Sequence, residues 1–261
     1  MRKLLAALLA LTVPAPLLAG RPAAAATVWH VVAPGETMAS IARDFGLNTA
    51  ALGRWNQIVA PYPVHIDATL RLNPPAAPLP AWRTRIEPVT PGMVNWKPIV
   101  GCPVPPSELR RVWVSYIDLR GAYHDGSIIV RRDVAARVQT IFLTLFRWRY
   151  RIMAMAPMSV NMPGETDMGI VTAGYNCRPI AGTRVWSEHA YGTAIDINPL
   201  QNPMTRVGSR DGGSPYLDRS RHLIGMIHPD GAARAFTENG YFWGGQWHTL
   251  KDYMHFSVTN R

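Results

Sequence analysis

Two short strings constrain this chain more than anything else in it: Ser187-Glu188-His189-Ala190-Tyr191-Gly192-Thr193-Ala194-Ile195-Asp196 and, near the end, Asp252-Tyr253-Met254-His255. Two imidazoles and a carboxylate drawn from both strings can hold a zinc ion and leave one position open for water. A fold that uses them must bring His189, Asp196 and His255 to one point. Asp252, three residues before His255, would then stand where a general base takes a proton from that water. Three protein ligands with a base beside them describe a hydrolase and not a structural zinc knot.

The spacing carries further content. An extended Gly192–Asp196 puts Gly192, Ala194 and Asp196 on one face at period two, and small residues there leave room for metal and substrate beside the carboxylate. The odd separation of Asp252 and His255 would send their side chains to opposite faces of a regular strand, so a turn or a helical step is expected between them. The Ser-x-His-x-x-Gly-x-Ala-x-Asp string, the Asp-x-x-His-Phe ending and Trp243-Gly244-Gly245-Gln246-Trp247 occur together and in order. In that combination the chain resembles the M15-type zinc D-alanyl-D-alanine carboxypeptidases and L-alanyl-D-glutamate endopeptidases of peptidoglycan.

The resemblance covers about residues 100 to 261. It implies an α+β catalytic domain, hedgehog-like with an antiparallel sheet, in which His189, Asp196 and His255 ligate Zn2+ and Asp252 is the catalytic acid/base. Many relatives carry Glu-x-x-His at that place, and the shorter Asp is the form more often seen in the endolysin-like branch, which leaves the bond cleaved open. Tyr175-Asn176-Cys177-Arg178-Pro179 resembles the family segment whose Arg faces substrate, and a fixed guanidinium at Arg178 suits the oxyanion formed when a peptide carbonyl is attacked. Ser187 is expected to hydrogen-bond substrate or to orient a ligand. Tyr175 and His248 are further substrate-contact candidates, His248 alternatively bonding to a ligand from behind. His124, His222 and His228 lack a partner pattern and are read as structural.

The start of the chain reads as a processing segment: Arg2-Lys3, an apolar Leu4–Leu18 interrupted by Pro14 and Pro16, then Ala24-Ala25-Ala26. Residues 1–26 are therefore expected to be a signal peptide, with the mature protein secreted or held at the cell wall. The apolar run is too short and broken for a comfortable span, no cysteine adjoins the cleavage site, and no later stretch suits a membrane anchor. Export would place Cys102 and Cys177 in an oxidising environment, where one disulfide is expected. They are too far apart, and lack the Cys-x-x-Cys pairing, to be metal ligands. The net charge is +10, from 27 Lys and Arg against 17 Asp and Glu. These charges are scattered and no nucleic-acid motif accompanies them, so nucleic acid is excluded as partner and anionic wall polymers are the expected attraction.

Residues 27–73 form a compact unit. Trp29-His30-Val31-Val32 alternates like a strand, Thr37 can cap and Gly46 can end a helix, and Met38, Ile41, Ala42 and Phe45 fall on one helical face. A second helix from Asn48 or Thr49 would carry Leu52 and Trp55 inward before Leu70-Arg71-Leu72 returns as a strand. This strand, helix, helix, strand order, with the Pro34-Gly35-Glu36-Thr37-Met38 turn and Trp55-Asn56 at the second helix end, resembles a LysM module. The resemblance implies a shallow groove for N-acetylglucosamine glycan at Gly35, Glu36, Thr37, Asn56 and Ile58.

Residues 74–99, with Pro74, Pro75, Pro78, Pro80, Pro88 and Pro91, are expected to be a stiff extended connector. The catalytic domain, residues 100–261, should open with a strand at Val112–Ile117, a Gly121–Gly126 turn and a strand at Ile128–Val130. Asp133 would cap a helix whose core stripe is Val134, Val138, Ile141, Phe142 and Leu145, and Ile152–Met155 would be a further strand. The expected function is an exported zinc peptidase acting on peptidoglycan stem peptides, first as a D-alanyl-D-alanine carboxypeptidase. L-alanyl-D-glutamate endopeptidase cleavage and a non-catalytic LysM wall-binding protein are the alternatives.

Overall fold

The computed structural model describes residues 27–75, 80–158, 170–206 and 214–261; the expected signal peptide, residues 1–26, lies outside them, as does Pro78. Trp29–Val31 (β1) leads through the Gly35 turn into Met38–Asp44 (α1). The helix starts there because Thr37 Oγ1 accepts the Ser40 N–H while Ser40 Oγ accepts the Thr37 N–H, a reciprocal cap. Thr49–Trp55 (α2) is capped by Asn48, whose side chain accepts the Ala51 N–H. Thr69–Arg71 (β2) then pairs antiparallel with β1, Trp29 opposite Arg71. Val32, Met38, Ile41, Leu52 and Leu70 form a core belonging to this unit. Phe45 departs from the expected stripe: it has left the helix as its C-cap residue, is 48% exposed, and lies edge-on to His30.

The proline-rich stretch is not wholly a connector. Thr84–Pro88 (β3) is an edge strand on Leu109–Ile117 (β4), which pairs in turn with Tyr123–Arg131 (β5), all antiparallel. Pro88 is tolerated because it ends an edge strand, and the strand is anchored by Arg83 N–H on Ser115 Oγ and Thr84 Oγ1 on the Trp113 carbonyl. The hairpin turn is tighter and earlier than Gly121–Gly126, since the Asp118 carboxylate accepts the Arg120 and Ala122 N–H groups and β5 starts at Tyr123.

Ala135–Arg147 (α3) packs Val138, Ile141, Phe142 and Leu145 on the sheet face that presents Val112, Val114, Ile128 and Val130. Each such side chain contributes about 1.5–3 kcal/mol by burial. Asp133 does not cap this helix: Val134 holds the cap position without a side-chain bond, and Asp133 makes a two-point ion pair with Arg131.

Ala154–Met155 (β6) pairs with Val171–Thr172 (β7), the only parallel strand pair among the described residues. Ala194–Asp196 (β8), Met204–Arg206 (β9), Ala233–Thr237 (α4), Phe242–Trp243 (β10), Leu250–Asp252 (β11) and His255–Ser257 (β12) complete the chain. β12 lies between β10 and β8 in one small antiparallel sheet, and β11 pairs with β9 in a ribbon beside it. Phe256 stacks on Phe236 at 3.9 Å, and Phe236 meets Phe142 edge to face, which joins the small sheet to the α3 core. The architecture is α+β. A disulfide joins Cys102 to Cys177, 75 residues apart.

Candidate metal centre

His189 lies in the short turn Glu188–Tyr191, which Gly192 closes at a φ of +67°. Ser187 opens that turn, its Oγ accepting the His189 N–H at 3.4 Å. Gly192 serves the fold and not, as expected, the space beside the carboxylate. A Cβ there would stand 2.8 Å from the Arg131 nitrogen, whose N–H bonds the Gly192 carbonyl. The β8–β12 register sets Asp196 opposite His255. His189 Nε2 lies 3.2 Å from Asp196 Oδ2 and 3.3 Å from His255 Nδ1, and His255 Nδ1 lies 3.1 Å from Asp196 Oδ1.

Three donors each about 2.0–2.1 Å from one tetrahedral ion stand about 3.3 Å apart, so this trio fits a zinc-sized cation. His189 Nδ1 is 2.7 Å from the Gly174 carbonyl. That contact holds the proton on Nδ1 and turns the Nε2 lone pair toward the centre.

The odd Asp252–His255 spacing is resolved by a change of strand: β11 ends at Asp252, Tyr253-Met254 turn, and β12 begins at His255. Gly244 makes room behind, since a Cβ there would stand 2.6 Å from the Asp252 carbonyl oxygen. Asp252 Oδ1 is buried with no hydrogen-bond partner. Burial, then the negative charge of Asp196, push the Asp252 carboxyl up to about 6, against the pull of His255, His189 and Arg178. Burial also opposes ionisation of Asp196, but the His189 and His255 imidazoles prevail and hold its carboxyl well below the usual range. At His255 burial is likewise outweighed, here by Asp196, and the imidazole is raised. Two neighbouring carboxyls driven apart in this way suit different roles, one an anionic ligand and one a proton acceptor.

These groups open on a cleft of about 610 Å³ that also presents Arg178, Trp186, Ser187, Trp247, Leu250 and Arg261. The Arg178 Nε is buried without a partner, while its Nη1 donates to the Pro179 carbonyl at 3.4 Å. Its backbone is held by the disulfide at Cys177 and by Asn95, whose side chain accepts the Cys177 N–H at 2.9 Å. The structure therefore brings together Arg178, Ser187, His189, Asp196, Asp252 and His255. It does not bring Tyr175, which is buried with its hydroxyl donating to the Val104 carbonyl, nor His248, which is exposed outside the cleft lining. Asn95 escaped the sequence reading because it sits in a proline-rich stretch with no motif around it. Trp186 was legible only as a neighbour of a motif, and Trp247 only as the end of the Trp243–Trp247 string.

The LysM-like unit carries a second groove of about 420 Å³, lined by Glu36, Thr37, Thr49, Pro61, Tyr62 and Val64 among others. Gly35, at a φ of +81°, turns the chain into it. Glu36 is anchored by the Ala33 N–H and by His30. Two expected groove residues are spent elsewhere. Asn56 is buried, bonding the Leu52 and Arg71 carbonyls and the Arg71 N–H, and so ties α2 to β2. Ile58 packs on the core of the unit. Tyr62 takes a place at the groove that no sequence pattern had assigned.

The geometry defines a centre able to hold a metal ion beside a carboxylate of raised pKa, in a cleft of about 610 Å³. Residues 181–258 match the family described as D-alanyl-D-alanine carboxypeptidase, the M15-type peptidases, and residues 30–73 match the LysM domain. One segment of the chain is thus similar to the LysM domain and another to the M15-type peptidases. No curated protein and no solved structure matches it. No helix among the described residues is long and apolar enough to cross a membrane.

Proposed function

We propose that the protein is an exported zinc peptidase that hydrolyses peptidoglycan stem peptides, with terminal D-alanyl-D-alanine as its preferred bond, and that its LysM domain holds it on the wall glycan. The observation that carries this reading is the trio of His189 Nε2, Asp196 and His255 Nδ1, mutually 3.1–3.3 Å apart, with Asp252 at the same cleft. A zinc ion held there supplies a polarised carbonyl and a bound water of lowered pKa. Asp252 would take a proton from an attacking water at this cleft and return it to the leaving amine. Arg178, in the wall of the same cleft, would stabilise the developing oxyanion. Ser187 and the Gly174 carbonyl keep His189 oriented.

The shorter Asp-x-x-His form keeps L-alanyl-D-glutamate cleavage as the second reading. N-acetylglucosamine glycan is assigned to the groove at Gly35, Glu36 and Thr37, joined by Tyr62, and the basic surface to anionic wall polymers. Residues 27–73 and 84–261 are assigned as the two domains, the second starting with the strand that pairs with β4, and the bridge supports export to an oxidising compartment. Elemental analysis of the purified mature protein tests the reading. About one zinc per chain is expected, and chelation should abolish hydrolysis that zinc restores; an active preparation without metal would refute it.

A further inference from the structure

The LysM unit does not hang beside the peptidase domain; it is set into it by buried polar contacts. Asp67, only 3% exposed, reaches across with Oδ2 accepting the His228 and Ala232 N–H groups at 2.9 and 3.0 Å, while Oδ1 meets His228 Nδ1 at 2.5 Å. His228 Nε2 lies 3.0 Å from the Arg221 carbonyl, so both ring nitrogens are engaged. Gly231 admits this approach, because a Cβ there would stand 2.1 Å from Asp67 Oδ2. A second seam runs through Arg149, buried and at a φ of +61°. Its Nε donates to the Asn56 carbonyl, its Nη2 to Gln57 Oε1, and its own carbonyl accepts the Thr69 N–H. A third is the Trp29 ring, 4.1 Å from the buried Arg151 guanidinium and packed over Gly121. His65 stacks on Trp148 at 4.2 Å beside these.

We propose that Asp67 is the clamp of a rigid two-part body, which holds the glycan groove and the metal cleft at a fixed separation and orientation, so that the LysM unit sets the register of the cleft on the polymer. A flexible tether only raises local concentration, whereas a clamped module also selects which stem peptides the cleft can meet. A buried carboxylate is costly unless it is hydrogen-bonded, and Asp67 finds its donors on the other domain. Asp67, His222 and His228 are close enough to suggest a metal site, but their geometry argues against one. The two imidazoles are stacked, with centroids 4.0 Å apart and planes 28° apart, so no ion can lie in both ring planes at bonding distance. The 2.5 Å contact of Asp67 with His228 leaves no gap for one either.

The polymer consequence rests on the proposed peptidase function; the clamp does not. The test compares the full-length mature protein with Asp67→Ala and Gly231→Ala by small-angle scattering, hydrogen exchange, metal content, and rates on a soluble stem peptide and on intact peptidoglycan. Wild type should scatter as a single compact conformation. Both variants should expand, and amides 228–232 should exchange roughly tenfold faster or more. Their kcat/KM on soluble peptide should stay within about twofold, while the rate on intact peptidoglycan falls about fivefold as register is lost. Should Asp67→Ala fail to fold, Gly231→Ala, which keeps the carboxylate and only crowds it, decides the matter.

Wild-type scattering that needs two independently moving units overturns the clamp. So do variants with unchanged scattering and exchange, and so does a second metal lost with Asp67. If wild type cleaves no stem peptide, the function reading fails while scattering and exchange still judge the clamp.

Discussion

Asp252→Asn separates the base from the ligands. The amide keeps the shape of the carboxylate but cannot take a proton, and Asp252 Oδ1 has no hydrogen-bond partner to lose. Loss of general acid–base catalysis typically costs about a hundredfold to ten-thousandfold, about 3–5 kcal/mol of transition-state stabilisation. Stability should move the other way. The Asp252 carboxyl is raised from 3.8 to about 6, so in the metal-free protein its ionised form opposes folding at neutral pH by roughly 3 kcal/mol. That penalty is absent below 3.8 and grows as pH rises to about 6. Asp252→Asn should therefore retain zinc, lose kcat, and melt higher than wild type when both are metal-free at pH 7. The assay pairs elemental analysis and stem-peptide kinetics with calorimetry under chelator. Full activity in the variant refutes the base assignment, and loss of zinc along with activity would make Asp252 a ligand.

Other outcomes follow from the same geometry. His255→Ala should lose metal and activity together, as read by elemental analysis and kinetics, because His255 Nδ1 is one corner of the trio. Cys102→Ser should lower unfolding free energy in urea by about 4 kcal/mol, the chain-entropy value for the 75-residue separation. It should also lower kcat by loosening Arg178. Although burial works against ionisation at Asp67, the His222 and His228 hydrogen bonds prevail and hold its carboxyl below 3.8. A depressed carboxyl contributes stability that is present above 3.8 and lost as pH falls below it. Asp67→Asn should accordingly flatten the acid side of a melting-temperature profile; an unchanged acid limb counts against the buried pair.

What could be read from the sequence was what the chain encodes locally. The Thr37 cap, the start of the second helix at Asn48 or Thr49, the period of Leu52, Ile141 and Phe142, and the His189, Asp196 and His255 set all rest on patterns along one or two segments. The odd Asp252–His255 step was enough to require a turn there. What escaped depends on partners distant in sequence. Tyr175 is core because Val104 receives its hydroxyl, and Asn56 is spent on a strand it meets only after folding. Thr84–Pro88 is a strand because β4 offers an edge. Asp133 loses its capping role to a two-point pair with Arg131, a competition that helix propensity does not contain. Asp67 and His228, 161 residues apart, leave no mark in either local pattern.

The proposed reaction is hydrolysis of a peptidoglycan stem peptide at this cleft. Mass spectrometry of muropeptides, incubated with the zinc-loaded mature protein and separately with the protein under chelator, tests it most directly. Loss of the terminal D-alanine from pentapeptide stems is expected only in the zinc-loaded sample. Unaltered muropeptides from a protein that holds its zinc would contradict it and leave a wall-binding protein in its place.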